Sequence, residues 1–491
     1  MSGDISRIAH TAPRPRITVI GTGYLGATHA ACMAELGFEV LGLDVDPLKI
    51  DALSRGELPF HEPGLPELLI KHVSSGRLRF TTSYREASDF GDVHFIGVGT
   101  PQRPGESAAD LTYVDAAVAQ LARHLDRDAL IVGKSTVPVG TARRLRRMID
   151  DELEGRALPA DFRVGLAWNP EFLREGRAVE DTLAPDRLVV GAEDGDTDSR
   201  ELLRRVYAAP LAGGTPLIET DFETAELVKV AANAFLATKI SFINAFSEIT
   251  ETIGGDITTL ADALGHDARI GRKFLNAGVG FGGGCLPKDI RALQARAEEL
   301  GAGAAMRFLT QMDEINLRRR DRVVHLAEQS VGTLTGARIT VLGAAFKPES
   351  DDVRDSPALD VAARLYNSGA DVAVYDPQAN RNAAARFPRL DYPDSLEEAA
   401  SGADLTILLT EWDEFRRLQP QDLEPLVRER RFIDGRNVLP AEEWKASGWE
   451  FSALGRRADV VGLHALPGRA FESSARSRLA PIDFFQSLAA E

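Results

Sequence analysis

From Arg16 to Asp46 the chain runs through an apolar stretch, a glycine turn, an amphipathic segment and a second apolar stretch, a pattern that predicts a βαβ unit. Apolar runs at Val93 to Val98 and Leu130 to Val132 end in GTPQ and in GKSTVPVG, Gly133 to Gly140. They predict further strands whose ends face the ligand crevice of an open parallel sheet. NPEFLREG, Asn169 to Gly176, sets Glu171 and Glu175 four residues apart, the spacing that aligns two carboxylates on one helix face; a solvated helix start explains the pair equally well. Near residue 215 the alternation stops. Phe222 to Ile253 predicts one helix longer than the globular norm, able to bridge two lobes and to supply a subunit interface. Lys229 and Asn233 stand four apart on it, so both side chains can enter one site.

The last third repeats the first. RITVLGAAFK from Arg338 echoes RITVIGTGYL, GADVAVYDP from Gly369 echoes GFEVLGLDVDP, and GADLTILLTEW from Gly402 echoes GDVHFIGVGTP. The expected architecture is α/β, with two Rossmann-like doubly wound domains joined by a central long-helix region. Its expected limits are 1–214, 215–325 and 326–457, followed by a tail at 458–491 that is rich in small and polar residues.

A length of 491 residues fits about three domains, and an apolar share of 44% is ordinary for a globular chain. Neither Cys32 nor Cys285 belongs to a CxxC pair and the nine histidines form no ligand-spaced cluster, so neither a disulfide framework nor a metal site is expected. This fits a reducing, cytoplasmic setting. The first residues lack an apolar core of signal-peptide length. The most apolar stretch, Leu227 to Phe246, is broken by Lys229, Asn233, Lys239 and Asn244, which argues against a membrane segment. A net charge of −17 argues against a general nucleic-acid surface, and an anionic small ligand needs a local basic pocket.

Two motifs carry chemistry. Gly21, Gly23 and Gly26 have the GxGxxG spacing, and Asp44 at the end of the second strand is placed to accept hydrogen bonds from both ribose hydroxyls of a dinucleotide. That carboxylate favours NAD by repelling the extra phosphate of NADP. The second motif is GFGGGCLPKD, Gly280 to Asp289, in which Pro287 suits a first helical turn. Cys285 then lies at a helix start beside Lys288, an environment expected to lower a thiol pKa and make it a nucleophile. Cys32, among alanines, is expected to be packing.

In order along the chain, GTGYLG, GTPQ, KSTVPVG, NPEFLREG, KVAAN, GFGGGCLPKD, AFKPESDDVRDSP and DGRNVL resemble the nucleotide-sugar dehydrogenases of the UDP-glucose/GDP-mannose family, from about Arg16 to Arg457. The resemblance implies two successive NAD-dependent oxidations of a sugar C6 alcohol to a carboxylate, without release of the aldehyde. By this likeness Cys285 captures the aldehyde as a thiohemiacetal that becomes a thioester, and Lys229 and Asn233 hold the developing oxyanion. Lys229 is also a candidate general base, a role that needs a lowered pKa. Thr136, Glu171 and Asp289 position or deprotonate the hydrolytic water, and which carboxylate is the base stays open.

Implied cofactor contacts are Gly21, Gly23, Tyr24, Leu25, Gly26, Asp44, Thr100, Thr136, Glu175, Lys288 and Arg354. Implied substrate contacts are Glu171, Phe172, Leu173, Lys229, Asn233, Phe281, Gly282, Cys285 and Phe346, with Lys347 and Arg436 on the phosphates. Arg269 matches a position that reaches the neighbouring subunit's substrate, implying at least a homodimer.

VGFGGGCLPKD leans toward UDP-glucose as substrate, with GDP-mannose the close rival; a two-electron hydroxyacid dehydrogenase and a non-catalytic sensor stand further off. Two features depart from the family pattern: Gly284 stands where serine is common, and residues 458–491 extend past the usual end.

Overall fold

The computed structural model describes residues 14–456, and the expected tail at 458–491 lies outside them. Eight strands form the first sheet: β1 Ile17–Ile20, β2 Val40–Leu43, β3 Leu78–Thr81, β4 Val93–Ile96, β5 Ala129–Gly133, β6 Val164–Trp168, β7 Leu188–Ala192 and β8 Leu217–Thr220. Their order is β3-β2-β1-β4-β5-β6-β7-β8, parallel except between β6 and β7. Five more form the second: β9 Arg338–Leu342, β10 Asp371–Tyr375, β11 Leu405–Leu408, β12 Arg431–Asp434 and β13 Glu450–Ala453. That sheet is wholly parallel, in the order β10-β9-β11-β12-β13.

The internal repeat is therefore one of topology, since β2-β1-β4-β5 corresponds to β10-β9-β11-β12. In each lobe the strand order reverses beside the first strand, and the crevice at the carboxyl ends opens there. The inner strands β1, β2 and β4 are buried along their whole length because helices cover both faces of the sheet. In the first sheet Ile17, Val19 and Phe95 pack into one core layer, and Ile20, Leu41 and Ile96 into the other. Each such side chain contributes about 1.5–3 kcal/mol by leaving water.

Between the lobes runs the helix Phe222–Ile253, capped by the Asp221 carboxylate on Thr224 N and ended by Gly254 at φ 78°. Helices Leu286–Glu299 and Gly303–Val331 pack on it and on each other. Two limits differ from the sequence expectation: β8 pairs with β7, so the first sheet runs past 214, and the last central helix passes 325 to end at Val331. The change of texture near 215 marks the approach to the long helix, while the short β8 before it is only partly buried and gives a weak apolar signal.

Candidate active site

Three strand-end loops of the first lobe meet the long helix and the start of Leu286–Glu299. On the long helix, buried Lys229 and Asn233 point the same way, as their spacing predicts. The Lys229 Nζ lies 2.9 Å from Glu171 Oε1, and the Asn233 amide donates to Asp289 Oδ2 at 2.7 Å. Lys288 Nζ donates to the other Asp289 oxygen at 2.5 Å. The Thr100 hydroxyl donates to the Thr136 carbonyl at 2.8 Å, and Thr136, Lys288 and Asp289 line one pocket. Beside these groups Lys229 Nζ lies 5.7 Å from the Phe172 ring centroid.

NPEFLREG is a loop, not a helix face. The Glu171 carboxylate accepts from Leu173 N at 2.7 Å, a local bond that competes with helix formation, and Gly176 turns the chain at φ 78°. Glu171 thus meets Lys229 while Glu175 faces the second lobe. There Ser350 Oγ donates to Glu175 Oε2 at 2.9 Å, Arg354 Nη2 lies 3.4 Å from Oε1, and Lys347 Nζ donates to the Glu175 carbonyl at 2.5 Å. Burial and the Asp352 carboxylate push Glu175 up to about 7, against the opposing pull of Arg354, Ser350 and Lys347.

Cys285 occupies the N-cap position of Leu286–Glu299 without a side-chain capping bond, and Pro287 stands in the first turn as expected. Its side chain is open to the cleft yet ringed by protein. Burial, with the Asp289 and Glu171 carboxylates, pushes the thiol up to about 11, outweighing Lys229 and Lys288. The lowered thiol pKa expected from the sequence is thus corrected. Lys288, credited there with favouring the thiolate, has its charge met by Asp289. Lys229 is corrected too: burial lowers its pKa, but Glu171, Cys285 and Asp289 outweigh burial and hold it above the ordinary lysine value. It is an ammonium donor rather than a free base.

The glycine loop is stitched to the second lobe. Phe281 N donates to Asn316 Oδ1 at 2.7 Å, Val279 N to the Gly435 carbonyl at 2.9 Å, and Gly283 N to the Arg354 carbonyl at 2.9 Å. Arg436 donates from Nη1 to the Gly280 carbonyl at 2.9 Å and from Nε to the Leu409 carbonyl at 2.7 Å. A side chain at Gly282 would meet the Asp355 carbonyl at 2.1 Å, and one at Gly283 the Phe346 ring at 2.7 Å.

The first lobe fits a dinucleotide. A Cβ at Gly23 would meet nothing within 4 Å, leaving room for a pyrophosphate, while one at Gly26 would strike the Gly21 carbonyl at 1.8 Å. The helix Tyr24–Glu35 has no side-chain cap, so its first N–H groups stay available to an anion. Asp44 accepts from Thr22 N at 2.9 Å and from Lys49 Nζ at 3.0 Å. Burial raises its pKa, but these donors and Asp46 N hold it below the usual carboxylate range. The Tyr24 hydroxyl is engaged by Glu62.

The second lobe closes the same position. Asp376, at the end of β10, accepts from Ala344 N at 2.7 Å, Ala345 N at 2.9 Å and the Trp412 indole at 3.0 Å. With the Trp412 indole bonded to it, this acid is more fully engaged and more deeply buried than Asp44, at 2% against 7% exposure, and the lobe lacks GxGxxG.

Three family models match this chain: the NAD binding domain, central domain and UDP binding domain of the UDP-glucose/GDP-mannose dehydrogenase family, at residues 15–210, 223–318 and 340–441. The chain belongs to that family. The UDP-glucose 6-dehydrogenase of Rhizobium meliloti (strain 1021) is 41% identical over 441 residues, 90% of this chain and 99% of its own length. The UDP-glucose 6-dehydrogenase TuaD of Bacillus subtilis (strain 168) is 40% identical over 447 residues, 90% of this chain and 94% of its own. A solved UDP-glucose dehydrogenase from the hyperthermophilic archaeon Pyrobaculum islandicum superposes with a TM-score of 0.82 at 37% identity, covering 93% of this chain and 100% of that one. This family member is an NAD-dependent oxidoreductase, with a nucleotide-binding lobe distinct from the dinucleotide lobe. No helix among its described residues is long and apolar enough to cross a membrane.

Two site-shaping residues lie outside the expected site set. Glu62, in what looks like a simple proline turn, is buried and accepts from Gly176 N at 2.6 Å and Ala178 N at 2.7 Å, fixing the Glu175 loop. Glu226, one helical turn before Lys229, accepts from Gly140 N and Ala142 N, both at 2.6 Å, and so ties the Thr136 loop to the long helix. For Glu226 the available signal was an acid among apolar residues in TAELV; for Glu62 it was the family-like EPGL, which a proline turn also explains locally. Arg269, conversely, does not join the cluster within this chain: its side chain is 89% exposed and pairs with Asp267.

Proposed function

We propose that this family member oxidises UDP-glucose to UDP-glucuronate in two NAD-dependent steps, through a covalent thioester on Cys285. The observation that carries this reading is a cysteine open to the cleft between a dinucleotide lobe and a nucleotide lobe, faced by the Lys229–Glu171 and Asn233–Asp289 pairs. When bound, NAD accepts the hydride in each oxidation.

Lys229 and Glu171 act as a unit: the ammonium donates to the substrate C6 oxygen and the carboxylate takes up the proton leaving the alcohol. The Cys285 thiol adds across the resulting aldehyde, sulfur to carbon and proton to oxygen, with Lys229 and the Asn233 amide holding that oxygen. After the second oxidation, water adds to the thioester, the C–S bond breaks and the thiol regains a proton, with Thr136, Glu171 and Asp289 around the attacking water. Lys347 and Arg436 supply cations toward the nucleotide-sugar phosphates, and Arg354 toward NAD.

The deciding experiment counts NADH formed per UDP-glucose consumed, with GDP-mannose in parallel. A ratio near two with UDP-glucose supports the reading. A ratio near one sinks the thioester scheme, and turnover of GDP-mannose alone overturns the substrate.

Gly284 bears on Arg354. A Cβ there would stand 2.4 Å from Arg354 Cζ, so Gly284→Ser is expected to push the guanidinium off the loop. Losing one charge-assisted hydrogen bond should raise the KM for NAD by about ten-fold with kcat little changed; an unchanged KM would place Arg354 away from the cofactor.

The same family member is proposed to act as a homodimer or larger assembly of its own chain. Phe235, Phe242, Phe246, Ile249 and Ile253 form an exposed apolar stripe along the long helix, too extensive for a lone soluble subunit. Light scattering at assay concentration should give at least twice the 53.2 kDa chain mass, and Phe242→Glu should lower it.

A further inference from the structure

Lys134 is buried beside the site and has no part in the mechanism above. It follows β5 directly and stands two residues before Thr136. Its Nζ donates to Asn169 Oδ1 at 3.0 Å and to the Asn169 carbonyl at 3.4 Å, and lies 3.5 Å from the Tyr207 hydroxyl. Among the described residues no carboxylate forms an ion pair with it; the rings of Phe95 and Tyr207 lie 5.8 and 6.0 Å away.

Asn169 is itself held on every side. Its N–H donates to the Gly133 carbonyl at 2.8 Å, its amide to the Val189 carbonyl at 2.8 Å, and Tyr207 donates to its Oδ1 at 2.6 Å. Two residues later stands Glu171, the partner of Lys229.

Stability does not explain this lysine. Burying an ammonium without a carboxylate is costly, and a methionine of similar length would fill the same space without that cost. Burial pushes the ammonium down to about 8, with Glu171 favouring the charge and Lys229 opposing it. The folded state therefore gives up this proton at lower pH than the unfolded chain does, so keeping the charge at neutral pH works against folding. The other ionisable groups facing it are Tyr207, pushed up by burial, and His29, held neutral by burial and by Lys134.

We propose that Lys134 is a positioning residue for hydrolysis of the acyl-enzyme: its ammonium clamps the Asn169–Glu171 segment to the Lys134–Thr136 segment of the adjacent loop, so that Thr136 and Glu171 address the same water. The proposal rests on the thioester reading. In that step the water oxygen bonds to the acyl carbon, the C–S bond breaks, one water proton passes to Sγ and the other to a carboxylate and then to solvent.

The test is Lys134→Met in the full chain, with stopped-flow NADH detection and mass spectrometry of Cys285. The expected result is a burst of two NADH per site, accumulation of the acyl-enzyme, and a kcat lower by about ten- to a hundred-fold. KM for UDP-glucose and NAD should stay within about two-fold, and the melting temperature should be unchanged or higher. A kcat like the wild type, a lost burst, or a kcat loss that comes with a lower melting temperature overturns the proposal.

If the variant is insoluble, wild-type acyl-enzyme breakdown followed across pH removes the same charge. Breakdown should slow as pH rises through about 8 while the burst persists, and breakdown that climbs steadily with pH overturns the proposal. A wild type giving one NADH per UDP-glucose removes the thioester reading and this proposal together, whereas a two-NADH enzyme indifferent to Lys134→Met removes this proposal alone.

Discussion

Cys285→Ala is expected to abolish steady-state NADH production from UDP-glucose, a loss of roughly a thousand-fold or more in kcat, because no covalent acyl intermediate can form. The Lys229–Glu171 and Asn233–Asp289 pairs do not depend on the thiol, so binding of both ligands should survive. The thiol is open to the cleft and fills no core space, so the melting temperature should move by only about a degree or two. Calorimetry and stopped-flow absorbance check the two halves of this expectation, and sustained turnover of the variant would leave no role for the cysteine. A pH signature accompanies it. With the thiol pushed up to about 11 in the ligand-free protein, and the thiolate the reactive form, alkylation of Cys285 should speed up as pH rises from 7 toward 11. A plateau already reached near pH 7 would mean that the helix start and the two lysines outweigh burial.

What the sequence disclosed and what it hid divide along a physical line. Patterns closed within a short stretch were legible: the β1 to β2 unit with its three glycines, the echo of that unit at Arg338, and the four-residue spacing that sends Lys229 and Asn233 into one site. Glu171 and Glu175 have the same spacing, yet they part, because a bond from Leu173 N and a turn at Gly176 replace the helix, and partners on different elements claim each carboxylate. Cys285 shows a related limit. The neighbouring Lys288 and the helix start are visible in the sequence, but the burial of the thiol and the approach of Glu171, which with Asp289 outweigh the two lysines, belong to the folded chain. Lys229 gives the same lesson with the sign reversed: a general-base role needs a lowered pKa, and Glu171, distant along the chain but 2.9 Å away in the fold, together with Cys285 and Asp289 outweighs burial and keeps the charge.

Lys229→Met should be the most damaging single change after loss of the thiol, and it should act on stability and rate through separable causes. The side chains of Lys229 and Glu171 are only 7% and 12% exposed, so deleting the cation strands a carboxylate where water reaches it poorly. Breaking such a pair from one side costs about 3–5 kcal/mol. Loss of the ammonium that holds the substrate oxygen should lower kcat by a further factor of about a hundred to a thousand, if folded protein is compared with folded protein. The double variant Lys229→Met with Glu171→Gln separates the two. Removing the stranded charge should restore most of the stability, read from denaturant unfolding, because a neutral amide is far cheaper to enclose. It should restore none of the rate, because the donor to the C6 oxygen is still missing. A double variant that regained activity along with stability would make the pair a structural strut, and the oxyanion would then have to be held by Asn233 and its neighbours without the lysine.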